Sequence, residues 1–398
     1  MSDVAGAFLI RLSVNVVMKT VTWMLSLNRT VRTFIFSILA LTAPYYLSDM
    51  GISPVYIALV IMVSGISSTA FVYGFSRLAL GERRKLMILS LLFSASLFLL
   101  FVYHGIALYI IAIVLGGIPL SGRDFTHNQA IEQFSISVNE NERRSKNFAF
   151  SLYNFGSYAS AAIASASIFF LYDSNIQAFY EICFFLSLMQ FVSYGLLSIP
   201  MDTMKAKAEH RQKLKSRDVP ILSALFSIDS LGGGLVVTSM ITLWFKLVYS
   251  ATLTQIGFIF VIVNIVTAIS IILSSVISNR MGLVRTIVYT HLVSNVFLVM
   301  IPLVHSFAIG QIFLYLRQTT SQMDVPARDS FTNTLIPQEQ RIQSNARFVM
   351  VRNFFQIPGP AIGGAILEFY PPLLFIVAGG SKILYDLMFF GRYHKTGL

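Results

Sequence analysis

Hydrophobic residues in this chain come in runs of about 20, separated by short polar connections, along nearly its whole length. A run of that length makes a helix of about 30 Å, the thickness of the hydrocarbon layer of a bilayer, so each is read as a membrane-crossing helix. Twelve spans are expected, at 30–49, 55–76, 86–103, 106–123, 145–171, 177–199, 220–247, 252–276, 284–303, 306–325, 342–368 and 372–391. The alternating short strands of a transmembrane barrel are not visible in the sequence. Upstream, Arg11, Asn15, Lys19, Thr22 and Ser26 recur every three or four positions, with Trp23 on the other side. That polar stripe predicts an amphipathic interfacial helix within residues 1–28, and its interrupting cations argue against a cleaved leader. The expected fold class is an all-α membrane protein.

Composition agrees, since 55% of the 398 residues are hydrophobic and 12% are charged, a balance foreign to ordinary soluble domains. A net charge of +11 would suggest nucleic acid if the cations were not confined to alternate connections. Arg83, Arg84 and Lys85 form one cluster, Arg143, Arg144 and Lys146 the next, and Lys205, Lys207, Arg211, Lys213, Lys215 and Arg217 a third. Arg280 with Arg285, Arg328 with Arg341, and Arg392 with Lys395 continue the series, while the opposite connections hold little beyond Lys246. The positive-inside rule then places both termini in the cytoplasm of a cell-membrane protein and requires an even number of spans. The basic stretch 200–218 reads as a linker between six-helix halves at 29–199 and 219–398. A single cysteine, Cys183, excludes an internal disulfide or thiolate cluster, and neither an HExxH pair nor a GxxxxGK[ST] loop is present. No metal, cofactor or ATP-driven step is expected. The expected partners are the lipid bilayer, a small-molecule substrate and coupling protons, with the protein acting as a monomer.

The halves repeat one another. NFGSYASAAIASA from Asn154 aligns with NFFQIPGPAIGGA from Asn353 at an offset of 199, sharing Asn, Phe, an Ala-Ile pair and the last Ala. Arg123-Asp124 recurs as Arg328-Asp329 at an offset of 205, and Gly81 as Gly282 at 201. Such a duplication is the plan of a secondary transporter with its site between the halves near the midplane.

GFSRLALGERRK from Gly74 resembles the GxxxDRxGRR loop signature of the major facilitator superfamily through Gly74, Gly81, Arg83 and Arg84. SVISNRMG carries Asn279, Arg280 and Gly282 at the matching place in the second half. The signature's acidic position, which in the family helps latch the halves on the cytoplasmic side, holds Leu78 and the next holds Ala79. Arg123 and Asp124, with Arg328 and Asp329 as counterparts, are expected to supply part of that gate. SQMDVPARDSF from Ser321 is similar to the MDVPTRQSY segment of a bacterial and archaeal efflux-type permease subgroup, as are IDSLGGG from Ile228 and THLVSN from Thr290. The resemblance implies a rocker-switch transporter exporting small molecules against protons, with the first, fourth, seventh and tenth spans around the cavity. An importer or uniporter, or a non-transporting sensor or scaffold, is the alternative. The Gly-Pro-rich antiporter motif belongs in the fifth span, where only Gly156 is found. A membrane-embedded enzyme would need a Ser/His or paired-Asp constellation, and none is apparent.

The candidate site residues are ions placed where a span should have none. Arg317, Ser321 and Asp324 are spaced i, i+4 and i+7 and share one helical face. A charge at that depth costs about 3 kcal/mol or more, so it marks a site or an internal ion pair locking two helices. Pro326, Arg328 and Asp329 are expected to end this segment at a water interface. Asp229 precedes Gly232, Gly233 and Gly234, which weaken a helix, and is a candidate for protonation or ion coordination. His291 and Asn295 are expected to form a structural hydrogen bond, Lys382 and Asp386 to neutralise each other at i, i+4, and Arg347 and Arg352 to snorkel to headgroups. Gly359, Pro360, Gly363 and Gly364 are expected to allow tight packing or a kink.

The charge pattern makes the orientation testable. A cysteine at Lys213 in a Cys183→Ser background should escape a membrane-impermeant thiol reagent added to intact cells; robust labelling would reverse the topology.

Overall fold

The computed structural model describes residues 19–102, 105–122, 124, 126–139, 143–172, 175–197 and 217–396. Among these residues there is no β-strand, and the chain runs as α1 (Thr20–Asp49), α2 (Pro54–Arg77), α3 (Glu82–Val102), α4 (Ile106–Leu115), α5 (His127–Asn139), α6 (Arg143–Leu171) and α7 (Ile176–Leu196). The second half contains α8 (Asp218–Leu235), α9 (Thr238–Tyr249), α10 (Leu253–Met281), α11 (Leu283–Met300), α12 (Phe307–Thr320), α13 (Asp324–Leu335), α14 (Arg341–Gln356), α15 (Gly359–Phe369) and α16 (Leu373–Tyr393). Helix ends follow local chemistry. Pro54 opens α2, where its missing N–H is not needed. A reciprocal capping box opens α10, Thr252 Oγ1 accepting from Gln255 N at 3.2 Å and Gln255 Oε1 from Thr252 N at 2.9 Å. Gly282 turns the chain from α10 into α11 at φ +83°, a backbone value that favours glycine.

Among the described residues eight helices are long and apolar enough to cross a membrane, or nine if α8 and α9, bent by 43° to one another, form one span. The expected span 106–123 falls on the short helix α4 and the turn after it, and 306–325 and 342–368 fall on the short pairs α12 and α13, and α14 and α15. The first span differs from the expectation at its start. Residues 20–28 are the opening turns of α1 rather than part of a separate helix, and residues 1–18 and 198–216, with most of the expected interfacial helix and linker, lie outside the described residues.

Within the first half α1 packs on α6 and α3 on α7; within the second, α8 packs on α14 and α16, and α11 on α16. The three largest contacts between the halves are α6 with α10, α2 with α15, and α1 with α9. All three concentrate at the end of the bundle carrying the turns after α1, α6, α9 and α15. There Lys246 pairs with Asp49, donates to Tyr45 O at 2.8 Å and sits 3.7 Å from the Tyr45 ring centre. Trp244 is fully buried nearby, its indole N–H donating to Pro371 O at 2.9 Å. Backbones approach closely at this end: a Cβ on Gly364 of α15 would lie 2.9 Å from Pro54 O of α2, and one on Gly257 of α10 would lie 2.8 Å from Phe169 N of α6. Within the second half, a Cβ on Gly359 would lie 2.8 Å from Leu235 N, so α8 and α15 meet main chain to main chain.

The close crossing at Gly364 predicts that Gly364→Val overpacks the α2–α15 contact and destabilises the protein by about 1–3 kcal/mol. Thermal unfolding of the purified variant checks this, and an unchanged midpoint would contradict it.

Candidate functional site

Opposite this closed end, the helices diverge around a cavity of about 540 Å³. Its wall comes from α1, α5 and α6 of the first half and from α8, α9, α10, α11, α12, α13, α14 and α16 of the second. Two buried ionic networks flank it.

The first is centred on Arg32 of α1, only 2% exposed. Its Nε and Nη2 donate to Asp124 Oδ2 at 2.9 and 2.7 Å, and Nη1 and Nη2 donate to Glu132 Oε1 and Oε2 at 2.9 and 2.6 Å. The planar guanidinium fork thus holds two carboxylates at once, a geometry a lysine could not provide. Tyr153 donates to Glu132 Oε2 at 2.6 Å, and Tyr194 donates to Glu132 Oε1. Asp124 Oδ1 accepts from Thr126 N and Oγ1 at 3.2 and 2.7 Å. Both carboxylates are therefore saturated, and α1, α5, α6 and α7 are tied together around one cation.

The second network is centred on Asp229 of α8. Lys382 Nζ of α16 donates to Oδ1 at 2.6 Å and Arg328 Nη1 of α13 to Oδ2 at 3.2 Å, while Arg328 also pairs with Asp324 at 3.2 Å. His291 Nδ1 lies 2.7 Å from Asp386 Oδ1, and Asn295 Nδ2 donates to Asp386 Oδ2 at 3.0 Å. The other ring nitrogen, His291 Nε2, is 3.5 Å from Lys382 Nζ and 3.5 Å from Asp229 Oδ1. It therefore faces a donor and an acceptor at one distance, so the ring has a neighbour of matching polarity whether or not Nε2 carries a proton.

Asp229, Arg317, Ser321 and Asp324 all lie in the cavity wall. The helix is interrupted at residues 321–323, so Arg317 belongs to α12 and Asp324 opens α13, yet they still face the same space. Several placements correct the sequence expectations. Arg328 does not end the segment at water; α13 continues to Leu335 and Arg328 is 7% exposed within the second network. Lys382 and Asp386 do not neutralise each other, because Lys382 turns to Asp229 and Asp386 to His291. Arg352 does not snorkel outward; it lies in the cavity wall with its guanidinium 5.5 Å from the Phe226 ring centre. Of the remaining loop residues, Arg83 donates to Gly195 O of α7 in its own half, Arg84, Asn279 and Arg280 are exposed, and Gly74 and Gly81 flank the turn between α2 and α3. Asp124 joins the Arg32 network, Asp329 lines the cavity, and Arg123 lies outside the described residues.

Sequence reasoning passed over Arg32 and Glu132. Arg32 stands two residues inside the expected span 30–49, at its very edge; because α1 starts at Thr20, it is about 18 Å along the helix. Glu132 lies beyond the expected end of the fourth span, on α5, which continues the chain past the break at Gly116 and Gly117. The available signal was the unbroken helical pattern upstream of residue 30, which carries Arg32 away from the interface.

The Arg32 network predicts a severe loss on truncation. Arg32→Ala leaves two buried carboxylates facing each other and should destabilise the protein by about 3–5 kcal/mol, read by thermal or denaturant unfolding in detergent. A loss below about 1 kcal/mol would mean that water reaches the site and the network is not a buried one.

The sequence model of the Major Facilitator Superfamily matches residues 25–316. A relative from Saccharomyces cerevisiae, described as "Uncharacterized membrane protein YJR124C", is 27% identical over 185 residues, which is 45% of this chain and 41% of that protein. The match thus spans less than half of the yeast relative's length. The fold is similar to solved structures of a nucleoside transporter NupG variant (TM-score 0.74, 14% identity, covering 94% of this chain and 99% of that one) and a peptide transporter POT variant (0.74, 12%, 94% and 94%). A D-xylose-proton symporter superposes with a TM-score of 0.70 at 11% identity, over 92% of this chain and 96% of that one. With the family model covering well over half of its length, this multi-pass helical protein belongs to the major facilitator superfamily.

Proposed function

We propose that the protein is a secondary transporter that moves a small molecule by alternating access between two duplicated six-helix halves. The carrying observation is the cavity of about 540 Å³, walled by both halves, charged on two sides and shut at one end by contacts between them. In this reading α4 with α5, α8 with α9, α12 with α13 and α14 with α15 are each one broken span, which brings the total to twelve. Breaks at the first, fourth, seventh or tenth span of such a plan put irregular backbone where it lines a cavity, the place a membrane tolerates it. The basic connections put the open end and both termini in the cytoplasm of a cell membrane, so the conformation is inward-facing.

Proton coupling is assigned to Asp229, His291 and Asp386. A carboxylate shared by Lys382 and Arg328 can release both cations when protonated, and His291 bridges towards Asp386. Release of those cations changes what the cavity presents to a solute, which is how one proton site biases another ligand's binding. The similarity of SQMDVPARDSF to efflux-type permeases favours export, and the transporters named above share the fold that alternating access requires.

Flux in proteoliposomes tests this. Asp229→Asn should abolish transport driven by an imposed pH gradient while preserving substrate counterflow, because exchange needs binding and alternation but no net proton movement. Gradient-driven flux equal to the parent's would remove Asp229 from the coupling path.

A further inference from the structure

Arg29, Arg317, Arg328, Arg352 and Lys382 line the cavity, and Arg317 is engaged by its neighbour, Nη1 donating to Gln318 Oε1 at 3.1 Å. Arg328 and Lys382 are engaged by Asp229 and Asp324 within hydrogen-bond reach. Arg29 of α1 and Arg352 of α14 also line the cavity but make no ion pair among the described residues. Each rests on an aromatic face, Arg29 at 4.3 Å from the Tyr153 ring centre and Arg352 at 5.5 Å from that of Phe226, which Arg328 shares, and Arg29 Nη1 also donates to the side-chain amide oxygen of Gln129 at 3.2 Å. Arg29 is 8% exposed, and its Nε is buried without a hydrogen-bond partner.

The two arginines occupy corresponding depths in opposite halves. Arg29 is nine residues into α1 and Arg352 eleven into α14, about 14 and 17 Å from the helix starts at the open end. A ring face holds a guanidinium in plane and leaves its N–H fork for a further acceptor, because stacking uses the π face rather than the donors. A buried guanidinium donor without a partner is costly, and an anion entering the cavity would supply one. Three of the four acidic wall groups are already engaged, Asp124 by Arg32 and Asp229 and Asp324 by Arg328, while the fourth, Asp329, is exposed.

Resting on the transport reading above, we infer that the solute is a small organic anion whose carboxylate or phosphate group is received by Arg29 from one half and Arg352 from the other. Phe260, Val263 and Leu314 supply an apolar surface in the same cavity, suited to an uncharged body on that anion. One anionic group held from both halves links them at the open end, and only a solute able to accept from both arginines makes that link.

Thermal unfolding of the purified full-length protein at constant ionic strength separates the classes. The probes are millimolar benzoate, citrate and glucose 6-phosphate against benzyl alcohol, benzylamine and glucose. At least one anion should raise the unfolding midpoint while its neutral and cationic counterparts do not, and benzoate against glucose 6-phosphate distinguishes carboxylate from phosphate. Arg29→Gln and Arg352→Gln should each weaken that anion's apparent affinity at least about tenfold. Should a Gln variant fail to fold, Arg29→Lys or Arg352→Lys, which keeps the charge without the planar fork, should still weaken it several-fold. No shift with any anion, an equal shift with the neutral or cationic counterparts, or unchanged affinity in either arginine variant overturns the assignment. The two readings fail separately. Anion binding without flux of any solute would remove the transport reading alone, whereas flux confined to neutral or cationic solutes would remove this one alone.

Discussion

An ion placed in the middle of a membrane has to find its counter-charge inside the protein, and the architecture here is arranged around that requirement. Arg32 meets it completely: its fork closes on Asp124 and Glu132, and the spare lone pairs of those carboxylates are taken by Thr126, Tyr153 and Tyr194. Because these groups come from four helices of one half, the ion network also fixes how those helices pack.

The second network is built differently. Asp229, Lys382 and Arg328 share their charges unevenly, and His291 Nε2 stands between a donor and an acceptor at 3.5 Å each. A network with more than one satisfactory proton arrangement can change state without leaving an ion stranded, which the Arg32 network cannot. The two halves therefore divide the work, one holding its charges fixed and the other able to redistribute them. Between them, cavity at one end and glycine-mediated contacts at the other give the molecule a closed side and an open side. The closed side relies on small residues, on Lys246 reaching from α9 to Asp49 and Tyr45 of α1, and on a buried apolar cluster shared by both halves, with Leu47, Ile57 and Ala58 from the first and Trp244, Ile256 and Leu367 from the second.

Much of this was legible in the sequence because membrane burial imposes strong patterns. Runs of apolar residues located nearly every helix, and the ions at 229, 317 and 324 stood out because a span excludes them. The pairing of those ions was not legible. Lys382 and Asp386 are spaced to meet on one helix, yet a partner on another helix is nearer for each, and spacing along one helix carries no information about a neighbouring one. Arg352 was misplaced for the same reason, since nothing in its own segment shows the Phe226 ring or the cavity beside it. Arg32 and Glu132 were hidden by boundaries: a start expected ten residues late put Arg32 at the edge of its span, and an end expected at residue 123 left Glu132 outside the fourth span.

Alternating access requires the halves to separate and rejoin at opposite ends of the charged cavity. A cysteine pair replacing Asp49 and Lys246 in a Cys183→Ser background, bridged by a short reducible bis-thiol reagent, tests it most directly. Bridging the closed end should stop flux in proteoliposomes, and reducing the bridge should restore it. Undiminished flux with the bridge intact would contradict alternating movement of the two halves.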